Sequence, residues 1–191
     1  MEKQLDLRIQ KTYIALISSF RALLKQKHFE NITVNEICDN AMVRRATFYK
    51  HFGDKYEFFT FMVRSIMEES FHRDFQINEV ENDPLAPYYC LVKNVLRILD
   101  ENDALVQSVI QSDMFPVLLN IISEQIVLDV KAYFVEDKRN GKDLLLPPEL
   151  FAEAFSGALI NISRWWIKNK NAVGKDELLQ HISVMMKKLY Y

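Results

Sequence analysis

Glycine, proline and cysteine are all scarce in this chain. Its 191 residues include four glycines, five prolines and two cysteines. Val, Ile and Thr form no alternating runs, so the sequence gives little support to a fold rich in β-sheet. Two cysteines cannot make a disulfide framework, and no Cys/His spacing suits zinc. We therefore expect an all-α protein with no metal and no cofactor.

Long apolar runs and catalytic motifs are also missing. No apolar segment reaches membrane-spanning length, and the first residues, Met-Glu-Lys-Gln-Leu-Asp-Leu-Arg, contain no apolar signal core. There is no glycine-rich phosphate loop, and the four histidines are scattered along the chain. These absences predict a cytoplasmic protein that is not an enzyme and has no membrane partner.

Positive charge is concentrated at one end of the sequence. Residues 1–55 hold ten Lys or Arg and six Asp or Glu, a net charge of +4, whereas the rest holds 14 and 20, a net charge of −6. A basic head on an acidic body is expected if only the head meets a polyanion. The alternative is an ordinary fluctuation in surface charge.

Apolar residues recur at spacings of three and four, which predicts about nine helices. The predicted ranges are 7–26, 34–40, 44–51, 55–73, 88–99, 104–111, 115–135, 149–169 and 176–189. Residues 76–87 are the plainest linker, because they contain Asn82-Asp83-Pro84, and the run 136–143 is predicted as a charged loop.

A helix-turn-helix unit is predicted at about residues 33–52. Thr33-Val-Asn-Glu36 has the form of a capping box, in which the Thr33 and Glu36 side chains each bond the other residue's N–H at a helix start. A three-residue turn, 41–43, then separates two short helices. Phe48 and Phe52 lie four residues apart on the second helix, so both can anchor one side of it.

The other side of this short helix is polar. Arg45 and Tyr49 share the same spacing, and Arg44 and Thr47 lie beside them. We interpret the aromatic residues as the anchor and the polar residues as the face offered to a partner. The alternative is a surface helix with a solvated cationic face.

The last two predicted helices, about 149–169 and 176–189, suggest a self-association surface. Residues 151–167 include only three strongly polar side chains, and several of the others are small. A helix that is apolar around most of its girth must be covered on more than one side. We expect a homodimer built on these two helices. The alternative is a central helix in a monomeric bundle.

The N-terminal third resembles the TetR/AcrR-type transcriptional regulators. The likeness is carried by Thr33-Val-Asn-Glu-Ile37, Ala41-Met-Val43, Thr47-Phe-Tyr-Lys-His-Phe52 and Asp54-Lys55. It is specific over about residues 8–62 and only architectural beyond them. The variant Met42-Val-x-Arg-x-Thr-Phe-Tyr-x-His-Phe-x-Asp-Lys-Tyr56, together with Arg164-Trp-Trp-Ile in the eighth predicted helix, resembles one subgroup. This subgroup includes relatives of the dihydroxyacetone-kinase operon activator, some of which act as co-activators.

This resemblance implies a helix-turn-helix head at residues 1–60 and a C-terminal helical bundle at 61–191 for ligand sensing and dimerisation. The implied function is that of a ligand-responsive repressor, dimeric on an inverted repeat in double-stranded DNA. The alternative is a co-activator that reads no DNA and acts through a partner regulator.

The resemblance also implies particular DNA contacts. Phosphate contacts are implied for Thr33, Thr47, Tyr49, His51 and Lys55. On chemical grounds we expect Arg45 to bind a guanine edge with two hydrogen bonds, an interaction worth about 1–3 kcal/mol of discrimination. Arg44 and Lys50 are expected to reach either a base or a phosphate.

Two residues depart from the family pattern. Met42 stands where glycine is usual, and if φ is positive there a non-glycine residue carries strain of about 1–2 kcal/mol. Either the turn differs slightly or this strain is tolerated. Arg44 stands where a serine often caps the recognition helix, so a cap worth about 1 kcal/mol is expected to be missing. Both departures predict a less stable head, and neither removes a DNA-contacting group.

The effector is unknown, and its site is the least defined part of the prediction. The candidate pocket residues are Phe59, Met62, Tyr88, Tyr89, Phe115, Trp165 and Trp166. The alternative for each is an ordinary place in the core. Cys38 is expected to be an inert buried thiol, and the sequence assigns no role to Cys90.

Overall fold

The computed structural model describes residues 7–73, 85–139 and 147–190. Over these ranges the backbone forms nine α-helices and one short 3-10 helix, with no strand. The elements are α1 (Leu7–Leu24), the 3-10 helix (Phe29–Asn31), α2 (Val34–Ala41), α3 (Arg45–His51), α4 (Lys55–Arg73), α5 (Ala86–Glu101), α6 (Asp103–Val109), α7 (Met114–Arg139), α8 (Pro148–Asn169) and α9 (Lys175–Tyr190). The predicted all-α fold is confirmed.

The predicted linker (76–87) and the predicted charged loop (136–143) are each wrong in part, and several other helix ends differ from the predicted ones by one or two residues. Helix α5 begins at Ala86, so Pro87 lies in its first turn, where the missing N–H of a proline costs nothing. Helix α7 continues to Arg139, where the Arg139 guanidinium lies 3.7 Å from the Glu136 carboxylate one turn earlier. The other parts of the predicted linker and loop, 76–84 and 140–143, lie outside the described residues.

The chain divides into two compact units. The first unit is Met1–Ile66 with Asn102–Leu118, and the second is Met67–Glu101 with Leu119–Tyr191. Helix α6 belongs to the first unit because it packs on α1. At this contact the Ser108 hydroxyl donates to the Lys27 carbonyl at 3.1 Å. The division between a DNA-binding and a sensing domain at residue 60 stays a prediction.

Aromatic rings form the centre of the first unit. Phe20, Phe29, Phe48 and Phe58 are fully buried. The Phe58 ring centroid lies 5.4–5.5 Å from those of Phe20 and Phe48 and 4.9 Å from that of Phe52. These contacts join α1, α3 and α4, because each helix contributes at least one ring. The burial of Phe48 and of Phe52, which is 5% exposed, is as predicted.

Helix α2 begins at the predicted capping box. The Thr33 Oγ1 accepts from the Glu36 N–H at 3.3 Å, and the Glu36 carboxylate accepts from the Thr33 N–H at 2.9 Å. Lys27 adds an ion pair to the same carboxylate. The Lys27 and Thr33 hydrogen bonds lower the pKa of Glu36 to about 2, so this carboxylate stays charged at neutral pH.

Helix α2 ends on a strained residue, so of the two alternatives for Met42 the structure shows the tolerated strain. Met42 has φ 53° and ψ 36°, and it is the one non-glycine residue with positive φ in the described ranges. Its N–H donates to the Asp39 carbonyl, and the Val43 N–H donates to the Cys38 carbonyl. This is the Schellman pattern, which places the residue after the helix in the left-handed region and favours glycine there.

Replacing Met42 by glycine is expected to raise the free energy of unfolding by about 1 kcal/mol, because glycine has no Cβ to strain. The Met42 side chain is 94% exposed, so little packing is lost. Met42→Ala is the matched control: it removes the same side chain but keeps the Cβ, so no gain is expected. Chemical denaturation of the three proteins tests this, and an equal gain in both variants would contradict the strain argument.

The second unit is tied together at the corner between α8 and α9. Asp100 on α5 accepts from Lys170 at 3.3 Å and from Lys175 at 3.0 Å. The hydrogen bonds from the two ammonium groups lower the pKa of the Asp100 carboxyl, and the bond from Lys175 has the larger effect. The buried Trp166 indole N–H donates to the Val173 carbonyl at 3.1 Å, which fixes the turn between the two helices.

Candidate nucleic-acid interface

Helix α3 has one buried face and one exposed face. Phe48 is fully buried, whereas Arg45, Tyr49 and Lys50 are exposed, with Tyr49 at 55%. The ring of Tyr49 stands perpendicular to that of Phe48 with centroids 5.5 Å apart, which supports the base of the exposed side chain. The structure therefore presents polar side chains on a helix that is anchored from behind by aromatic packing.

The two arginines at the start of α3 are available to a partner. Both side chains are exposed, and within the described residues neither guanidinium takes part in a hydrogen bond or ion pair. Arg44 occupies the N-cap position and makes no side-chain cap, as predicted. Five donors in a planar fork are thus free on each side chain, the geometry that suits a guanine edge or a phosphate.

The structure gives Lys55 a different role from the predicted phosphate contact. Its ammonium donates to the carbonyls of Phe29 (3.1 Å), Glu30 (2.9 Å) and Ile32 (3.0 Å). An ammonium has three N–H donors, and all three are used here. Burial lowers the pKa of Lys55, and nearby Glu30 opposes that shift. Lys55 therefore fixes the 3-10 helix against the start of α4, and we omit it from the proposed contacts.

Thr33 is exposed, but its hydroxyl proton is engaged inside the capping box. The hydroxyl donates to the Glu36 carboxylate at 2.9 Å. A phosphate oxygen only accepts hydrogen bonds, so a phosphate contact by the Thr33 hydroxyl requires this bond to open. The phosphate contact of Thr33 stays a prediction, and its observed role is to start α2.

The sequence interpretation missed a partner of His51. The Tyr13 hydroxyl on α1 lies 3.3 Å from His51 Nδ1, and the two rings are perpendicular with centroids 5.3 Å apart. Tyr13 is half-buried and lies among the apolar residues that recur along α1 at helical spacing. A tyrosine in such a stripe carries a hydroxyl that needs a partner, which was the available signal.

The two cysteines, Cys38 and Cys90, differ in burial. Cys38 is fully buried in α2, and this burial raises the pKa of its thiol. A raised pKa keeps the thiol protonated and unreactive, in agreement with the inert role expected for it. Cys90 is half-buried on α5.

The seven candidate effector residues are divided between the two units, and an effector pocket among them stays a prediction. Phe59, Met62 and Phe115 belong to the first unit and are buried, and Tyr88 and Trp166 are buried in the second. Their apolar surface is covered by neighbouring side chains, as expected for core residues. Tyr89 is half-buried, and Trp165 is 49% exposed.

Two adjoining apolar grooves lie along α8 and α9. The first has a volume of about 270 Å³ and is bordered by Phe151 and Phe155 on α8 and by Met186 on α9. The second, of about 380 Å³, is bordered by Trp165 and His181. Both grooves include Ile162, Ile182 and Met185, so they form one continuous apolar surface.

Asp129 is a half-buried carboxylate in the second unit, and one of its two oxygens has a hydrogen-bond partner. Its Oδ1 accepts from Gln125 at 3.0 Å, whereas Oδ2 is buried with no hydrogen-bond partner among the described residues. Burial raises the pKa of Asp129 to about 6. Burial and the Asp129 charge also raise the pKa of Tyr133 on the next turn. The charged form of Asp129 is thus disfavoured in the folded protein.

Replacing Asp129 by asparagine is expected to raise the free energy of unfolding at pH 8 by about 1 kcal/mol, after a discount for solvent screening. The folded-state pKa of Asp129 is above the unfolded value, so the protonated carboxyl contributes its full stability to the wild type below about pH 4. This stability is lost as pH rises through 6. Denaturation at pH 4 and pH 8 tests this, with the exposed Glu153→Gln as control. A gain of equal size at both pH values would contradict the assignment.

The described part of the chain contains neither a metal-binding cluster nor a membrane-spanning helix. Within the ranges 7–73, 85–139 and 147–190, no group of three or more His, Cys, Asp or Glu side chains is arranged to hold a metal ion. None of the helices in those ranges has the length and apolar character needed to cross a bilayer.

The N-terminal region matches a known family. Residues 16–60 match the family described as bacterial regulatory proteins, tetR family. An uncharacterized HTH-type transcriptional regulator, YxbF, from Bacillus subtilis (strain 168) is 38% identical over 64 residues. That match covers 33% of this chain and 17% of the relative, so the chain accounts for about a sixth of the relative's length.

Solved structures share the whole fold. A tetR-family transcriptional regulator from Syntrophomonas wolfei superposes with a TM-score of 0.71 at 15% identity, covering 94% of this chain and 95% of that one. The dihydroxyacetone kinase operon activator DhaS superposes with a TM-score of 0.61 at 19% identity, covering 94% of each chain. At such identities the likeness establishes the fold. The matched family consists of regulators, which agrees with the prediction that the chain is not an enzyme.

Proposed function

We propose that this chain is a DNA-binding transcriptional regulator whose α3 enters the major groove. The match of residues 16–60 to the tetR family of bacterial regulatory proteins supports this proposal. One observation carries the proposal: α3 buries Phe48 while it leaves Arg45 and Tyr49 exposed, with the Arg45 guanidinium unpaired in the described part of the chain. A helix held from behind with free donors in front suits base recognition.

The proposed contacts divide into two classes. Arg45 binds the O6 and N7 atoms of a guanine, which supplies sequence discrimination. Thr47, Tyr49 and His51 bind phosphates, which set the register of the head on the duplex. Arg44 and Lys50 can belong to either class, because each reaches a base or a phosphate according to the DNA sequence.

The regulator acts as a homodimer through α8 and α9. On α8, Ala154, Ala158, Asn161 and Trp165 recur at helical spacing and are all exposed. Val184 and Met185 on α9 are 54% and 41% exposed. These residues lie on or beside the two apolar grooves, and a second copy would cover such a surface with the same surface of its own. Two heads on one dimer would read an inverted repeat.

Helix α4 gives a bound effector a route by which to control the DNA-reading head. Helix α4 is continuous from Lys55 to Arg73, whereas the division between the two units falls after Ile66. A ligand that favours one orientation of α4 would change the spacing of the two heads and so weaken repression. The candidate effector contacts are those predicted from the sequence, which are divided between the two units.

A second function, a co-activator that works through a partner regulator, is favoured by one feature of the head. Met42 is strained and Arg44 leaves α3 uncapped, so two stabilising devices are missing from the DNA-reading unit. A protein that reads no DNA has no need of them. This candidate predicts a stable complex with another regulator and no specific duplex binding.

Binding of the purified protein to the DNA upstream of its own operon, measured across a salt series, tests the proposal. A regulator that neutralises several phosphates loses affinity steeply as salt rises, with a slope of about −0.9 per phosphate on a logarithmic scale. Two chains per site are expected. A flat salt dependence, together with equal affinity for unrelated duplexes, would favour the co-activator.

Arg45→Ala is expected to weaken binding to the specific site by about 1–3 kcal/mol per head and to leave binding to unrelated duplexes nearly unchanged. The reason is that the bidentate contact is made only with the correct base. Competition titrations with both duplexes measure the ratio. Arg139→Ala, which removes an exposed arginine from the second unit, is the control and should bind as the wild type. An equal loss on both duplexes would make Arg45 a phosphate contact.

A further inference from the structure

The pair formed by Tyr13 and His51 joins α1 to the end of the recognition helix. The Tyr13 hydroxyl lies 3.3 Å from His51 Nδ1. The Tyr13 ring is itself held by Phe52 and Phe61, with centroids 5.6 Å and 4.8 Å away. Because these aromatic contacts fix the ring, they also fix where the hydroxyl meets the imidazole.

The direction of this hydrogen bond decides which His51 nitrogen carries the proton. A neutral imidazole has one N–H donor and one acceptor nitrogen. Tyr13 has no other hydrogen-bond acceptor for its hydroxyl proton in the part of the chain that the structure describes. Donation from Tyr13 to Nδ1 satisfies that proton and places the imidazole proton on Nε2, the nitrogen turned away from Tyr13.

We propose that Tyr13 is a positioning residue, which holds neutral His51 in the tautomer whose Nε2–H donates to a DNA phosphate. This inference rests on the proposed function. A phosphate oxygen accepts hydrogen bonds and does not donate them, so the opposite tautomer would present a lone pair to the phosphate. Tyr13 is half-buried on α1, and in this proposal it acts on the DNA only through His51.

Tyr13→Phe separates this role from packing, because it keeps the ring on Phe52 and Phe61 and removes only the hydroxyl. At pH 8, where an ordinary imidazole is neutral, ¹⁵N spectra of His51 report the tautomer directly without DNA. We expect Nε2–H in the wild type and a mixture of tautomers in Tyr13→Phe. Affinity for the specific duplex should fall by about three- to tenfold in that variant, and the unfolding midpoint should hardly change.

Two further variants complete the test. Tyr56→Phe also removes a tyrosine hydroxyl from the first unit, one that donates to Glu30 at 3.4 Å, and it should leave tautomer and affinity unchanged. In a His51→Ala background, Tyr13→Phe should cause no additional loss of affinity, because Tyr13 acts only through His51.

The inference is overturned by an Nδ1–H tautomer in the wild type, or by a Tyr13→Phe protein that binds the duplex as tightly as the wild type. An additional loss in the His51→Ala background would overturn it as well. A wild-type protein that binds no duplex contradicts the proposed function itself. Normal binding with the wrong tautomer contradicts only the role of Tyr13.

Discussion

Replacing Phe48 by alanine is expected to lower the free energy of unfolding by about 3–5 kcal/mol. Phe48 is fully buried, and its ring lies 5.5 Å from those of both Phe52 and Phe58. Removing it opens a cavity between α3 and α4 and forfeits the aromatic contacts that hold α3. Denaturant titration measures the loss of stability. The same variant should bind no DNA under conditions in which its first unit is unfolded.

Tyr49→Ala is the matched control, because it truncates an aromatic residue on the same helix at a 55% exposed position. We expect a change in stability of about 0.5 kcal/mol, typical of a surface site, together with weaker DNA binding. Phe48→Ala should therefore be much less stable than the wild type. Tyr49→Ala should stay folded and bind DNA more weakly. A large loss of stability in Tyr49→Ala, or a stable Phe48→Ala, would contradict the two-faced helix.

Lys55→Met is expected to lower the free energy of unfolding by about 2–4 kcal/mol, since it removes charged hydrogen bonds and leaves carbonyls unpaired. The three acceptors belong to the 3-10 helix and the residue after it, and none is replaced by a methionine side chain. Thermal and denaturant unfolding measure the loss. The 3-10 helix should also exchange its amide hydrogens faster.

Lys50→Met is the control for Lys55, because it removes an exposed lysine from α3. Its stability should match the wild type, and the salt dependence of its DNA binding should become shallower if Lys50 reaches a phosphate. The opposite pattern for Lys55, unchanged stability with a shallower salt dependence, would restore the phosphate contact that the family resemblance implied.

Features set by neighbouring residues could be predicted from the sequence. The capping box at Thr33 and Glu36 depends on four adjacent residues, whereas the possibility of a positive φ at Met42 came from the family resemblance. The predicted bounds of α4 agree with Lys55–Arg73, because Asp54 caps it by accepting from the N–H groups of Tyr56 and Glu57. Burial of Phe48 and Phe52 followed from their spacing.

Features set by distant contacts could not be predicted. Lys55 bonds residues 23–26 positions earlier, and Tyr13 meets a histidine 38 positions later. The attachment of α6 to the first unit depends on Ser108 reaching Lys27, 81 positions away. Periodicity reports which face of a helix is apolar but not which helix covers it, so the supposed effector residues could not be distinguished from core.

The most direct test of the central claim is base-specific interference at the selected DNA site. Duplexes enriched from a random pool by the wild-type protein would carry 7-deazaguanine at one guanine at a time. We predict that the wild type binds more weakly when N7 is removed from one particular guanine in each half-site. The affinity of Arg45→Ala should not change when N7 is removed from that guanine, whereas its response at every other guanine should match the wild type. A wild type indifferent to every guanine, or an Arg45→Ala protein as sensitive as the wild type, would contradict the claim that α3 reads DNA through Arg45.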